Sequence, residues 1–366
     1  MTQYKLLTPG PLTTTPRVKE AMLVDHCTWD QDYKEITQRI RQELLSLAHA
    51  PAQDYTAILM QGSGTFGVES VISSTVRSKD KILLCTNGEY GNRLVTICRY
   101  NQLNTLVYEA AFNTIISAKE VERHLCTDTA ITHVAMVHCE TTTGILNDLS
   151  AIGAVCKKHK KTFIVDAMSS FGGIDLDMPA LGIDFLISSA NKCIQGVPGF
   201  CFILAKKEPL QLCQGNCPTL SLDLYAQWKG METDGKWRFT SPTHVVLAFA
   251  QALGELHEEG GIPKRQKRYE QNNSRLIEKM EVLGFKPYIG KAHQSPIITT
   301  FLYPTPSFDF EEMYQYIKAR GYAIYPGKLT HEDTFRIGNI GEIYLQDMDR
   351  LTEIITTFME EKSCQQ

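Results

Sequence analysis

Three stretches of the sequence combine reactive residue types with settings that suit chemistry. Thr162-Phe163-Ile164-Val165-Asp166 is an apolar run ending in a carboxylate. Asp184-Phe185-Leu186-Ile187-Ser188-Ser189-Ala190-Asn191-Lys192 repeats the pattern with small residues and a lysine, ahead of the constrained turn Gly196-Val197-Pro198-Gly199. Gly62-Ser63-Gly64-Thr65-Phe66-Gly67 follows a strand-like run and opens a helical one. Taken alone, an Asp after a strand is more often a turn cap, and a lone lysine is usually a solvated charge. The flanks of Lys192 are apolar or small, which places it at the mouth of a sheet. A partly desolvated lysine has a lowered pKa and can form a Schiff base.

The glycine-rich loop fits the dinucleotide fingerprint, which also requires an acid at the end of the next strand. That strand ends Cys85-Thr86-Asn87, and the first acid is Glu89. A nicotinamide-dependent oxidoreductase built on the Gly62 loop is therefore weakened but stays open. The broader reading is a phosphate cradle. Glycines let the backbone approach an anion, and a helix N-terminus offers unpaired N–H groups and a favourable dipole. Ser63 and Thr65 add hydroxyls.

A phosphate cradle, a strand-end carboxylate and a Schiff-base lysine together point to pyridoxal phosphate. The carboxylate would keep the pyridine nitrogen protonated, so that the ring is an electron sink. Tyr90, in Gly88-Glu89-Tyr90-Gly91, is the candidate to cover the ring face.

The elements that must position these groups alternate from about residue 55 to 205. Strands are expected at Tyr55–Met60, Lys81–Cys85, Leu106–Tyr108, Ile131–His138, Thr162–Asp166, Phe185–Ser188 and Gly199–Ala205. Helices are expected at Gly67–Val76, Gly91–Tyr100, Ala118–Leu125 and Ser150–His159. Such alternation implies a mostly parallel sheet covered by helices, with ligands at the carboxyl ends of the strands. Near residue 260 the pattern changes. Gly260-Gly261 and Pro263 interrupt a helix from about Pro242 to Glu259. Strands at Ile297–Leu302, Tyr322–Tyr325 and Phe335–Ile337 follow, with helices at Asp309–Arg320 and Leu345–Glu361. In the last helix Leu345, Met348, Leu351, Ile355 and Phe358 recur on one face.

At about 150 residues per domain, 366 residues suggest two domains. The composition is 43% hydrophobic and 21% charged, as in ordinary globular chains. With 37 Lys+Arg against 41 Asp+Glu the net charge is −4, which argues against a nucleic-acid partner. The basic run Lys264-Arg265-Gln266-Lys267-Arg268 reads as the solvated start of a helix. The 11 scattered cysteines read as free thiols, and Cys213-x3-Cys217 lacks the partners of a metal site. No metal is expected. The first residues lack a long apolar stretch, and no run approaches about 18 apolar residues. Secretion and membrane spanning are disfavoured, and the cytoplasm is the expected compartment.

The sequence resembles the class V branch of the fold-type I pyridoxal-phosphate aminotransferases. The resemblance covers nearly the whole chain, from Leu7-Thr8-Pro9-Gly10-Pro11 to Thr334-Phe335-Arg336-Ile337-Gly338. Its most specific pieces are Gln61–Thr65, Val165–Gly172, Ser189–Cys193 and Trp237–His244. It implies an α/β fold. A large pyridoxal-phosphate domain (1–260) would hold the mainly parallel mixed sheet between helices, and a smaller α+β domain (261–366) would follow. Segment 1–15 would pack on the small domain or the active site.

By the same resemblance, Lys192 carries the cofactor aldehyde and Asp166 contacts the pyridine nitrogen. Ser63, Gly64, Thr65 and Asn191 bind the phosphate, Tyr90 stacks on the ring, and Thr141 hydrogen-bonds near the ring oxygen. Thr240 reaches the phosphate in a neighbouring subunit, which makes a homodimer part of the active site. The substrates are a small amine and a 2-oxo acid, whose carboxylate Arg336 binds. A guanidinium matches a carboxylate bidentately, an independent reason to single out Arg336. Arg93 is the candidate to face a dianion, although an arginine in a helix is more often a surface charge. Two alternatives remain within the fold: an alanine–glyoxylate or serine–pyruvate aminotransferase, and a desulfurase, for which none of the cysteines stands out as nucleophile.

Overall fold

The computed structural model describes residues 4–327, 329 and 332–364. Its larger sheet has seven strands, in the spatial order Tyr55–Gln61, Phe200–Lys206, Phe185–Ser189, Thr162–Asp166, Ile131–Val137, Lys81–Thr86 and Asn104–Glu109. Six run one way. Phe200–Lys206 is antiparallel to both its neighbours. Most of these strands are buried along nearly their whole length, which is why they read as continuous apolar runs. Asn104–Glu109 lies at the edge and is half-exposed. In register, Asp166 stands beside Val137 on one side and Ile187 on the other.

The helices Gly64–Thr75, Glu89–Tyr100, Ala118–Thr127 and Leu149–Lys158 connect the strands and flank the sheet. Their buried side chains (Val68, Val71, Leu94, Ile97, Val121, Ile152) join the sheet in one apolar core. A second cluster forms around Leu276, Met280, Phe301, Phe335, Met348, Leu351 and Ile355. It lies between the three-stranded antiparallel sheet Ile298–Leu302, Thr334–Gly338, Tyr325–Pro326 and the helices Gly261–Val282, Phe310–Ala319 and Leu345–Ser363. Of the expected apolar face of the last helix, Leu345 stays exposed while Met348, Leu351, Ile355 and Phe358 are buried.

The segment expected as one strand from Tyr322 to Tyr325 is two. Tyr322–Ala323 pairs in parallel with an N-terminal strand, Lys5–Leu6, and Tyr325–Pro326 joins the Arg336 strand. Leu7 is buried in the second cluster, and the Gly338 N–H donates to Leu7 O at 2.9 Å. The chain then runs on through Pro9 and Gly10 to the carboxyl edge of the large sheet. Residues 1–3 of the expected 1–15 segment lie outside the described residues.

The basic run is not simply solvated. Lys264 and Lys267 are exposed, but Arg265 is buried, donating to Glu259 and to Cys193 O. Arg268 donates to Glu259 and to the carbonyls of Gly341 and Ile343. Helical spacing turns these two inward, where they join the start of the helix to the body of the protein. Two further helices, Gln31–Leu47 and Leu224–Asp234, belong to the larger part; the first carries Tyr33, Ile36, Ile40, Leu44 and Leu47 at helical spacing, the second no clear apolar stripe. In the first, Thr37 and Arg41 share the buried face with Ile40 and Leu44.

Candidate active site

The strands end at a cavity of 270 Å³. Val137, Asp166 and Ser189, the last residues of three parallel strands, line it. With them are Ser63, Gly64, Thr65, Tyr90, Arg93, Asn191 and Lys192. Loops that leave neighbouring parallel strands on one edge thus bring together residues from 63 to 192.

Asp166 is buried, and its Oδ1 accepts the Met168 N–H at 2.9 Å. Burial pushes its pKa up to about 6, against the pull of Lys192 and Arg93. Lys192 Nζ donates to Pro9 O at 2.8 Å and to Gly10 O at 3.3 Å. Burial lowers its pKa, opposed by Tyr90, Cys193 and Asp166 nearby. Gly10 has φ +106, and a Cβ there would come within 2.7 Å of Lys192 Cδ, so only glycine suits this crossing.

Ser63 is the N-cap of helix Gly64–Thr75 and makes no side-chain capping bond, which leaves its hydroxyl available to a ligand at that helix end. The Thr65 hydroxyl accepts from Arg93 Nη1 at 3.3 Å. Arg93 is exposed, and its guanidinium lies 4.8 Å from the centroid of the Tyr90 ring. Asn191 Oδ1 accepts from the Ser189 hydroxyl at 2.9 Å.

Three expected residues stand off the cavity wall. Arg336 is buried, donating to Pro326 O at 3.0 Å and to Thr141 O at 3.1 Å. Burial lowers its pKa, and the Tyr90 hydroxyl beside it opposes that. Thr141 is also buried, and it is its carbonyl that meets Arg336. Thr240 is exposed, in a separate hollow with Tyr33, Arg238 and Phe239.

Residues not anticipated include Met168, Cys139 and Glu140; the Pro9-Gly10 crossing falls in the segment 1–15 expected to pack on the small domain or the active site, but its contact with Lys192 is not anticipated. Cys139 and Glu140 lie two and three residues beyond the Ile131–Val137 strand, so the strand-end rule could have found them. Cys139 lines the cavity, with its thiol pushed up to about 12 by burial, the opposite of an activated nucleophile. Asn87 occupies the place where a dinucleotide site needs an acid. It is buried and donates to Thr114 O and Asn147 Oδ1.

The arrangement fits pyridoxal phosphate. A buried carboxylate faces the cavity with Met168 as its one hydrogen-bond donor among the described residues, so it can accept from a protonated ring nitrogen. A buried lysine lies nearby, an aromatic ring lines the wall, and a hydroxyl-bearing helix N-terminus suits the phosphate. Among the described residues no group of three or more His, Cys, Asp or Glu could hold a metal. No helix there is long and apolar enough to cross a membrane.

Comparison with known proteins agrees. Residues 25–341 match the family model described as aminotransferase class-V. The chain is 57% identical over 363 residues to a 2-aminoethylphosphonate–pyruvate transaminase of Lysinibacillus sphaericus, covering 99% of both. It is 54% identical to a protein of the same name from Phocaeicola vulgatus, covering 98% of this chain and 99% of that one. Its fold matches the crystal structure of an alanine–glyoxylate aminotransferase from Nostoc sp., with TM-score 0.90 at 22% identity, over 97% of this chain and 96% of that one.

Proposed function

The chain belongs to the class-V aminotransferases, and we propose that it transfers the amino group of 2-aminoethylphosphonate to pyruvate, giving phosphonoacetaldehyde and L-alanine. The observation that carries this reading is near-full-length identity of more than half to transaminases of that name, in a chain whose cavity holds both Lys192 and Asp166. The alanine–glyoxylate likeness, at 22% identity, bears on the fold alone.

Pyridoxal phosphate supplies what no side chain can, a conjugated ring able to take up the electron pair left on the amine-bearing carbon. The protein's own residues do the rest. Ser63, Gly64, Thr65 and Asn191 would hold the phosphate, Tyr90 would cover a ring face, and Thr141 would serve the ring oxygen. Asp166 would pair with the ring nitrogen and hold its proton in place. Lys192 Nζ would take up the proton from the amine-bearing carbon and deliver it to the cofactor's aldehyde carbon, and would move it the opposite way when pyruvate is the acceptor. Its lowered pKa favours the neutral amine that this step needs. Arg336 binds the carboxylate of pyruvate, and Arg93, at the cavity mouth, faces the phosphonate.

We assign cofactor binding to residues 1–260 and closure over the substrate to 261–366. The two larger apolar clusters support that division, although Leu7 belongs to the second and a small third cluster (Leu12, Cys139, Cys193, Tyr269, Ile297, Ile340) joins both parts. Thr240 is read as serving the cofactor of a partner subunit in a homodimer. Its exposure outside this chain's cavity supports that role. The cytoplasm is the proposed compartment, supported by 11 cysteines that are all free. Alanine formation from pyruvate, measured with 2-aminoethylphosphonate and, separately, with serine or cysteine as donor, tests the assignment.

A further inference from the structure

Glu140 has no role in the reading above, yet it is fully buried and takes four hydrogen bonds. Its Oε2 accepts the N–H groups of Tyr90 and Gly91, each at 3.0 Å. Its Oε1 accepts the Thr142 N–H at 3.2 Å and the Thr142 hydroxyl at 2.7 Å. That hydroxyl in turn accepts the Glu89 N–H at 3.2 Å. Glu140 and Thr142 thus satisfy three consecutive donors at the start of helix Glu89–Tyr100, groups that no intrahelical partner can reach. The packing leaves no slack: a Cβ on Gly88 would fall 2.3 Å from Glu140 Cγ.

The other end of the same cluster leads to the substrate arginine. Thr141, between Glu140 and Thr142, offers its carbonyl to Arg336 Nη1. Thr142 O accepts the Thr300 hydroxyl at 3.2 Å, and Thr300 is the register partner of Arg336 in the small antiparallel sheet. One carboxylate therefore ties the helix that carries Tyr90 to the loop that seats Arg336.

We infer that Glu140 is a positioning residue, which holds Tyr90 and the Thr141 carbonyl in one arrangement so that cofactor seating and carboxylate binding at Arg336 are set together. The inference rests on the proposed roles of Tyr90 and Arg336. It also explains why a carboxylate stands here. Two oxygens serve four donors, and a glutamine would keep only one acceptor oxygen and set an NH₂ against N–H groups.

The test uses the holoenzyme with Glu140→Gln and the milder Thr142→Val, each alone and combined with Arg336→Lys. Two constants are read: KM for pyruvate, and the dissociation constant of pyridoxal phosphate from a titration of the apoenzyme. Loss of one or two buried hydrogen bonds predicts that Glu140→Gln raises both by about tenfold. Thr142→Val should raise both by a smaller factor. In the Arg336→Lys background, Glu140→Gln should raise the pyruvate KM no further, because both changes act on one seat. Unchanged constants in Glu140→Gln with only a lower melting temperature overturn the inference, and so do additive effects on KM. If Glu140→Gln fails to fold, unchanged constants in Thr142→Val overturn it. An unchanged pyruvate KM in Arg336→Lys would instead overturn the underlying role of Arg336, and the inference with it.

Discussion

Lys192 Nζ donates to the carbonyl oxygen of Pro9 at 2.8 Å, across 183 positions of sequence. The residues just before Pro9 are laced to the small sheet through Leu7 and Gly338, two residues beyond Arg336. The N-terminal crossing therefore lies against both the reactive lysine and the strand of the substrate arginine. Gly10→Ala should cut turnover sharply. The added methyl meets the Lys192 stem, and φ +106 disfavours any side chain. The expected cost in stability is above about 1 kcal/mol. Steady-state kinetics and chemical denaturation check this, and wild-type turnover in Gly10→Ala would refute a functional crossing.

Replacing Lys192 by Ala should abolish turnover, since loss of a general base alone costs about 10²–10⁴ in rate. Borohydride reduction of the holoenzyme followed by peptide mapping should label Lys192. A label on another lysine would overturn the assignment.

Asp166 gives the pH dependence. Its folded pKa is raised from 3.8 to about 6 by burial, so between pH 4 and pH 6 the folded apoenzyme binds more protons than the unfolded chain. Stability then falls as pH rises through that window, by at most about 3 kcal/mol for this group. The stability of wild-type apoenzyme relative to Asp166→Asn should decline from pH 4 to pH 6 and level off above. A flat difference would contradict the buried, cavity-facing carboxylate. In the holoenzyme Asp166→Asn should lower turnover at least about hundredfold, because the ring nitrogen loses its charged partner.

Arg336→Lys keeps the charge and loses the planar fork. The KM for pyruvate should rise about 10–100-fold, while the visible band of the bound cofactor stays in place, since Arg336 is assigned to the substrate and not to the cofactor. An unchanged KM would move the carboxylate site elsewhere.

Much of the site was legible because one rule reached it. Side chains at the carboxyl ends of parallel strands converge, and Asp166, Lys192, the Ser63–Thr65 loop and Tyr90 all follow apolar runs. What escaped depends on contacts made by the backbone or across long separations. Pro9 meets Lys192 through a carbonyl, which no residue type announces. Glu140 is the neighbour of Thr141, but its role rests on N–H groups about fifty residues away. Arg265 and Arg268 looked solvated because their partners, Glu259 and distant carbonyls, form no local pattern. Thr240 came from family likeness alone, and a single chain leaves it outside the cavity.

The most direct test of the central claim is a half-reaction followed by absorbance. The pyridoxal form of the enzyme is mixed separately with 2-aminoethylphosphonate, alanine, serine and cysteine, without an oxo acid. The proposed function predicts that 2-aminoethylphosphonate and L-alanine bleach the visible band and that pyruvate restores it. Silence toward 2-aminoethylphosphonate, with full bleaching by another amine, would contradict the assigned reaction while leaving the fold and the family intact.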